Sequence, residues 1–481
     1  MQKVKLIPVL VIMISIVLGN VLEIEKLDNS QYQIILDSEI HENYGCLYPL
    51  TYNFQYSDDV AAINAYKKYE IDGNWDIISE KESGEYFNGI EAVRVDSVNK
   101  KIFVSVAFAT YSDTLFLKFN DSQNDLLEVN FVDIPKYYDD RKAVVTATID
   151  DVQGWMSEVS IRSGEIFQEH EMWLTMGIVT AGTGDDTWSR LQSLIEKGYI
   201  EAAAHSRTHP SPEPYGEALK SEVSGCKQDI IDNLTLPRKF NKSGHEYVYT
   251  WIAPHGYTDN EIDSLLGVED FLVNRLYIPD AIQVAEWDSS LGHFEPYGMT
   301  GEMGNTSWQS SATTDTTVLK ERFDTAYNAD GVYHVMFHPQ SIDWDQKYGP
   351  SHLDYIDQRK DVWYVSLGHL YLYELVSGHE YNETRVYLAD KKHPEQFELH
   401  QNYPNPFNSS TIISFSLNKP GKVELSFYNL AGQLVGKYSS NFRTGGFHKI
   451  RWKPGNLPSG VYFYKLSKES QSQTKKLLLQ K

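Results

Sequence analysis

Apolar positions between about residues 23 and 140 alternate or fall in short runs: Ala92–Val95, Lys101–Val106 and Thr114–Phe119. Clusters of Asp, Asn, Gly and Ser separate them, which predicts strands joined by turns and a small β-sandwich. The pattern changes near residue 141. Lys142–Ile149 is a continuous apolar run of the buried-strand type and ends in Asp150-Asp151. Residues 153–170 suggest a helix, and Met172–Thr180 another strand. Trp188–Lys197 places Trp188, Leu191, Leu194 and Ile195 on one helical face before Gly198, and Tyr199–Ala204 is again strand-like. Strand, helix, strand, helix, strand is the signature of an α/β domain with a parallel sheet, here over residues 141–377. Tyr247–Ala253 and Val332–Phe337 are further strand candidates, and Val362–Leu375 reads as a strand followed by a helix. Residues 378–398 are polar and charged, as a linker would be. From 399 to 481 a new β pattern appears, with Thr411–Leu417, Lys422–Leu430, Phe447–Trp452 and Val461–Leu466 separated by turn residues, which predicts a second small sandwich. The expected architecture is multidomain, with a β-sandwich-like domain at each end and an α/β domain between them.

A chain of 481 residues suits two to four domains, and its 41% hydrophobic content is enough for real cores. The formal charge of −23, from 43 basic and 66 acidic residues, argues against nucleic acid or an anionic membrane surface as the main partner. Lys3 and Lys5, the apolar run Leu6–Leu18 and the small Gly19 read as a secretory signal peptide over residues 1–19. The run is too short to span a bilayer comfortably, and no later stretch is long and apolar enough for a membrane helix. Cys46 and Cys226 are the only cysteines; they would pair in an oxidising compartment or stand as two buried thiols, and they exclude a cysteine-based metal site.

Two motifs carry chemistry. Asp150 and Asp151 end a buried strand, where adjacent carboxylates are costly unless paired or metal-bound. On an extended backbone their side chains diverge, so one would hold a metal while the other handles a proton. His205-Ser206-Arg207-Thr208-His209-Pro210 follows the strand that ends at Ala204. A helical turn there would bring both imidazoles to one side. Asp151, His205 and His209 would then supply three ligands and leave a position for water, as a catalytic metal site does. Such a mixed set fits zinc and also suits cobalt, nickel or iron.

With these motifs in this order, residues 143 to about 377 resemble the NodB-homology polysaccharide deacetylases, carbohydrate esterase family 4. The resemblance implies an irregular (β/α) barrel. It makes Asp150 the general base and Asp151, His205 and His209 the metal ligands. The family's third motif, Arg-x-Pro-x-Gly, reads Ile252-Ala253-Pro254-His255-Gly256 here. The backbone N–H of His255 takes the oxyanion role, and Pro254 and Gly256 are expected to line the substrate. The motif arginine, which holds the base, is replaced by Ile252; Arg207 and Arg275 are the candidates to stand in for it. The fourth motif, Asp-x-x-Asp-Trp, has no clear counterpart, and Trp287 is the suggested substrate-binding position. His338, after the strand Val332–Phe337, matches the general acid, with His334 as the competing choice. The implied reaction is metal-assisted removal of N- or O-acetyl groups from an acetylated polysaccharide. Without the motif arginine, a catalytically weak glycan-binding protein is the alternative reading, as is an amidohydrolase acting on a non-glycan C–N bond.

The C-terminal segment carries a second resemblance. Asn402–Asn408, Tyr428–Gly432, Leu457–Tyr462 and Lys475-Lys476 are similar to the type IX secretion sorting domain of Bacteroidetes-like bacteria. That implies recognition by the type IX secretion machinery and delivery outside the cell or to the outer-membrane surface of a Gram-negative bacterium.

Overall fold

A computed structural model describes residues 15–18, 21–81, 89–211, 214–236, 246–276, 287–288, 298–305, 312–377, 397–402, 405–408, 411–417, 419, 421–442, 446–452, 454–455, 457–468 and 471–480. The expected linker lies almost wholly outside them. So does the expected signal peptide, apart from a short strand Ser15–Leu18 paired antiparallel with Leu22–Lys26.

The first domain is two antiparallel-dominated sheets face to face, one of six strands and one of five. Alternation decides which side is buried. In Gln31–Leu36, Tyr32, Ile34 and Leu36 point inward while their neighbours stay half-buried. Leu50–Tyr56 is buried on both faces instead. On its polar face Thr51 Oγ1 accepts the Asp139 N–H at 2.8 Å, from the segment that leads into the next domain.

The central domain is built on β1 (Ala143–Val152), β2 (Leu174–Ile178), β3 (Ile200–Ala204), β4 (Thr250–Ile252), β5 (Val273–Arg275), β6 (Trp287–Asp288), β7 (Gly298–Glu302), β8 (Val332–Phe337) and β9 (Val362–Tyr364). They form one sheet in the order β6-β5-β4-β3-β2-β1-β8-β7, with β9 also pairing β1. Every pairing is parallel except β5 with β6. The helices are α1 (Ser157–Glu169), α2 (Asp185–Lys197), α3 (Glu217–Asn233), α4 (Asn260–Val268), α5 (Thr316–Asn328), α6 (Tyr348–Ile356) and α7 (Leu367–Ser377). The expected strand Tyr247–Ala253 shortens to three residues, and α3, α4, α5, α6, β5, β6 and β7 were not foreseen.

The inner face of this curled sheet is polar. His334 on β8 is held by the hydroxyls of Thr146, 2.8 Å from Nδ1, and Thr148, 3.0 Å from Nε2, both on β1. Nearer the floor, Glu201 accepts from Thr175 at 2.6 Å. The first domain closes that floor. Tyr44, Tyr52 and Phe54 share one core with Val144, Tyr249, Val332, Trp363 and Leu370. Tyr249 donates to the Tyr44 carbonyl at 2.8 Å and Tyr373 to that of Pro135 at 2.9 Å. The opposite end, where the strands terminate, stays open for function.

Glu374 on α7 is a cost of that shared core. It is buried, and among the described residues neither carboxylate oxygen has a hydrogen-bond partner. Burial pushes its pKa well above the ordinary 4.5, so the folded state keeps the proton that the unfolded chain loses. Stability therefore falls as pH rises from the unfolded value toward the folded one. Glu374→Met, which keeps the volume, should raise the unfolding free energy at pH 7 by about 1–3 kcal/mol. Urea unfolding at pH 7 and pH 4 checks this: the gain should be larger at pH 7, and an equal gain at both would contradict it.

The last domain has a three-stranded and a four-stranded sheet around Phe415, Leu425, Phe427, Tyr464, Leu466 and Leu477. Trp452 stacks on Phe427 with centroids 4.0 Å apart. Its sequence motif is structural: the Asn402 N–H donates to Tyr464 at 2.8 Å, and Asn405 accepts the Leu478 N–H at 2.8 Å. Cys46 and Cys226 are separate buried thiols.

Candidate active site

The C-terminal end of β1 is irregular where the chemistry sits. Its register with β2 shifts between Ile149 and Val152, and Asp151 takes a left-handed φ of 56°. A bulge of this kind re-aims side chains. The two carboxylates diverge because of it, not because the strand runs straight on. Asp150 turns into the barrel and is 3% exposed, while Asp151 faces the rim.

The His205–Pro210 segment is a bend, not the helical turn expected from its spacing. Ser206 (φ 63°) and His209 (φ 55°) are both left-handed, which folds the chain back on itself. The two imidazole centroids come within 4.8 Å. Helix α3 fixes this bend: Glu222 accepts from the Thr208 N–H and from its hydroxyl, each at 2.8 Å. Asp229 holds Arg207, with Nη2–Oδ1 at 2.6 Å. His255 completes the rim with φ 55° and its ring centroid 4.4 Å from that of His209. Four non-glycine residues in the left-handed region, at about 1–2 kcal/mol each, is strain concentrated where a site is being shaped.

Asp151, His205 and His209 bring one ligand atom each within 4.8 Å of one another. Asp151 Oδ1 lies 3.4 Å from His205 Nε2 and 3.4 Å from His209 Nε2. Ligands about 2.0–2.1 Å from a tetrahedral ion stand about 3.4 Å apart, so the trio fits a divalent cation. His205 Nδ1 faces the Ile252 carbonyl at 2.8 Å, which fixes the ring and leaves Nε2 for the shared point. Gln340 donates to the other oxygen of Asp151 at 2.7 Å. Sequence reasoning missed both Gln340 and Glu222; only the histidine motif two residues before Gln340 marked its neighbourhood.

Asp150 lies behind this trio. Its Oδ1 meets the Arg275 guanidinium and its Oδ2 is 3.7 Å from His338 Nε2. Burial raises the Asp150 pKa, but Arg275, His338 and His205 outweigh it and hold the carboxyl below its ordinary value. For Asp151 burial acts the same way and is outweighed by His205, His338 and His209, leaving it ionised. Burial drives His209 down to about 4, helped by the charge of His205, and lowers His338 despite both carboxylates. His338 is thus the histidine that reaches the site. The competing His334 is 1% exposed and held between two threonines. Pro254 is buried beneath the rim, and Gly256 follows His255 with φ 69°. Trp287 lies on β6 in register with Arg275; its side chain is outside the described residues.

Together these features define a curled parallel half-barrel with a mixed imidazole and carboxylate cluster, close enough to hold a metal ion, at the C-terminal end of its strands. Residues 401–480 match the family model of the secretion system C-terminal sorting domain, so the chain carries such a domain at its end. No curated protein matches the sequence. Among solved structures, the chain is similar to the Xyl-CE4 domain of a multidomain xylanase from the hindgut metagenome of Trinervitermes trinervoides. That likeness has 14% identity and a TM-score of 0.29 over 47% of this chain and 89% of the other. It is also similar to a family 4 acetyl xylan esterase from Clostridium thermocellum in complex with a cobalt ion, at 13% identity and TM-score 0.29 over 48% and 92%. A third similar structure is the peptidoglycan deacetylase PdaC from Bacillus subtilis, at 14% identity and TM-score 0.29 over 47% and 89%.

Proposed function

We propose that this protein is a secreted, metal-dependent deacetylase that hydrolyses N- or O-acetyl groups of a polysaccharide. The observation that carries the reading is the pairing of a metal-ready trio, Asp151, His205 and His209, with a buried, cation-held carboxylate at Asp150 and a histidine 3.7 Å from it. When bound, a divalent cation (zinc, cobalt, nickel or iron) supplies Lewis acidity toward the acetyl carbonyl and the attacking water. Asp150 takes the proton from that water as its oxygen bonds to the carbonyl carbon. The backbone N–H of His255 faces the developing oxyanion, a role that needs no particular side chain. His338, whose pKa burial lowers, receives that proton from Asp150, 3.7 Å from its Nε2, and gives it to the departing amine or hydroxyl as the C–N or C–O bond breaks. Acetate and the free sugar group leave. The leader at residues 1–19 takes the chain across the inner membrane, and the C-terminal domain hands it to the type IX machinery for delivery to the cell surface or beyond. No described helix is long and apolar enough to cross a membrane. Acetate release from a panel of acetylated glycans and simple amides tests the reading; release from amides alone would replace it with an amidohydrolase.

A further inference from the structure

We infer that Arg275 is the positioning residue of the base, a role that has crossed from β4 to the neighbouring strand β5; the inference rests on the deacetylase reading. Four observations carry it. The strand register pairs Ile252 on β4 with Arg275 on β5. In a parallel pair, residues in register point to the same face, so Arg275 offers its side chain to the barrel interior beside the position where the family motif has its arginine. The guanidinium is fully buried, and its Nη2 meets Asp150 Oδ1. Its Nη1 lies 3.7 Å from Met336 Sδ, and among the described residues Nε has no hydrogen-bond partner. A buried guanidinium with part of its fork unsatisfied is poor design for stability, because desolvation of the pair offsets much of its attraction. It is good design for holding one carboxylate in a fixed direction.

Arg207, the other candidate, is committed elsewhere. Asp229 takes its Nε at 2.7 Å and its Nη2 at 2.6 Å, and the side chain is 38% exposed. It braces the histidine bend and not the base. The site therefore keeps the base–arginine pair with the cation supplied from one strand further along. Such a move is cheap in this fold, since adjacent strands are only about 4.8 Å apart.

The test is a set of variants assayed for acetate release, with metal content and thermal unfolding measured beside it. Arg275→Met should lower kcat by about 100-fold with KM within about threefold of wild type, because the loss falls on the transition state. Its metal content should equal wild type, since Arg275 touches none of the trio. The exchange variant Ile252→Arg/Arg275→Ile should recover at least about tenfold of that loss, the result a purely structural role would not give. A folded, metal-loaded Arg275→Met with wild-type kcat overturns the assignment, as does a folded exchange variant no better than Arg275→Met. If Arg275→Met does not fold, Arg275→Lys decides: a fall in kcat with KM and metal content held supports the assignment, and an unchanged kcat overturns it. Wild-type protein that releases no acetate from any glycan would instead defeat the deacetylase reading itself.

Discussion

Asp150→Asn is expected to lower kcat by about 10²–10⁴-fold, the usual range for loss of a general base, while the protein still binds its metal. Asparagine keeps the shape of the carboxylate but cannot take a proton from water. The proposed ligand set is Asp151, His205 and His209, whose atoms lie within 4.8 Å of one another without help from Asp150. The variant has a second expected effect. Arg275 is fully buried against Asp150, so removing the negative charge leaves the guanidinium without its counter-ion. Loss of one partner of a buried pair costs about 3–5 kcal/mol, and the melting temperature should fall accordingly. Adding Arg275→Met should recover part of that stability and none of the activity. Steady-state kinetics, metal analysis and thermal unfolding on the two variants separate these effects. An Asp150→Asn protein with most of its wild-type turnover would mean that another group is the base.

Removal of residues 399–481 should abolish surface delivery and leave a folded enzyme. The C-terminal domain owns its core, from Phe397 and Leu399 through Leu479, and this cluster shares no residue with the two cores upstream. None of the proposed catalytic or ligand residues lies beyond His338. In the native host the truncated chain keeps residues 1–19, the proposed leader, so it should cross the inner membrane and accumulate in the periplasm. Cell fractionation with activity assays on each fraction reads the outcome. Normal surface delivery of the truncated chain would refute the export role. Loss of folding would make the domain structural.

Much of this arrangement was legible in the sequence because it follows from short-range pattern. Val332–Phe337 reads as a strand and is one, with the same ends. The facing side chains of α2, Trp188, Leu191, Leu194 and Ile195, are buried as their spacing predicts. The two motifs placed Asp150, Asp151, His205 and His209, and the structure brings all four together. What failed was geometry set by tertiary contacts. The histidine pair looked helical by its i, i+4 spacing, but left-handed φ values at Ser206 and His209 and the grip of Glu222 from α3 make it a bend. The fusion of the first domain to the barrel floor was invisible, since the alternation of Leu50, Tyr52, Phe54 and Tyr56 with Thr51, Asn53 and Gln55 reads as a strand with one face in water, whereas Thr51 and Asn53 are buried as well. The stand-in for the missing arginine was undecidable from sequence. Ile252 and Arg275 are 23 positions apart in the chain and side by side in the sheet, and only register shows it.

Metal-dependent deacetylation is tested most directly by acetate release from the purified full-length protein, stripped with a chelator and then reloaded, with metal content measured at each step. The stripped protein should be inactive, a single divalent ion per chain should return on reloading, and acetate release from an acetylated polysaccharide should return with it. A protein that takes up no ion, or that releases acetate equally well when stripped, would contradict it.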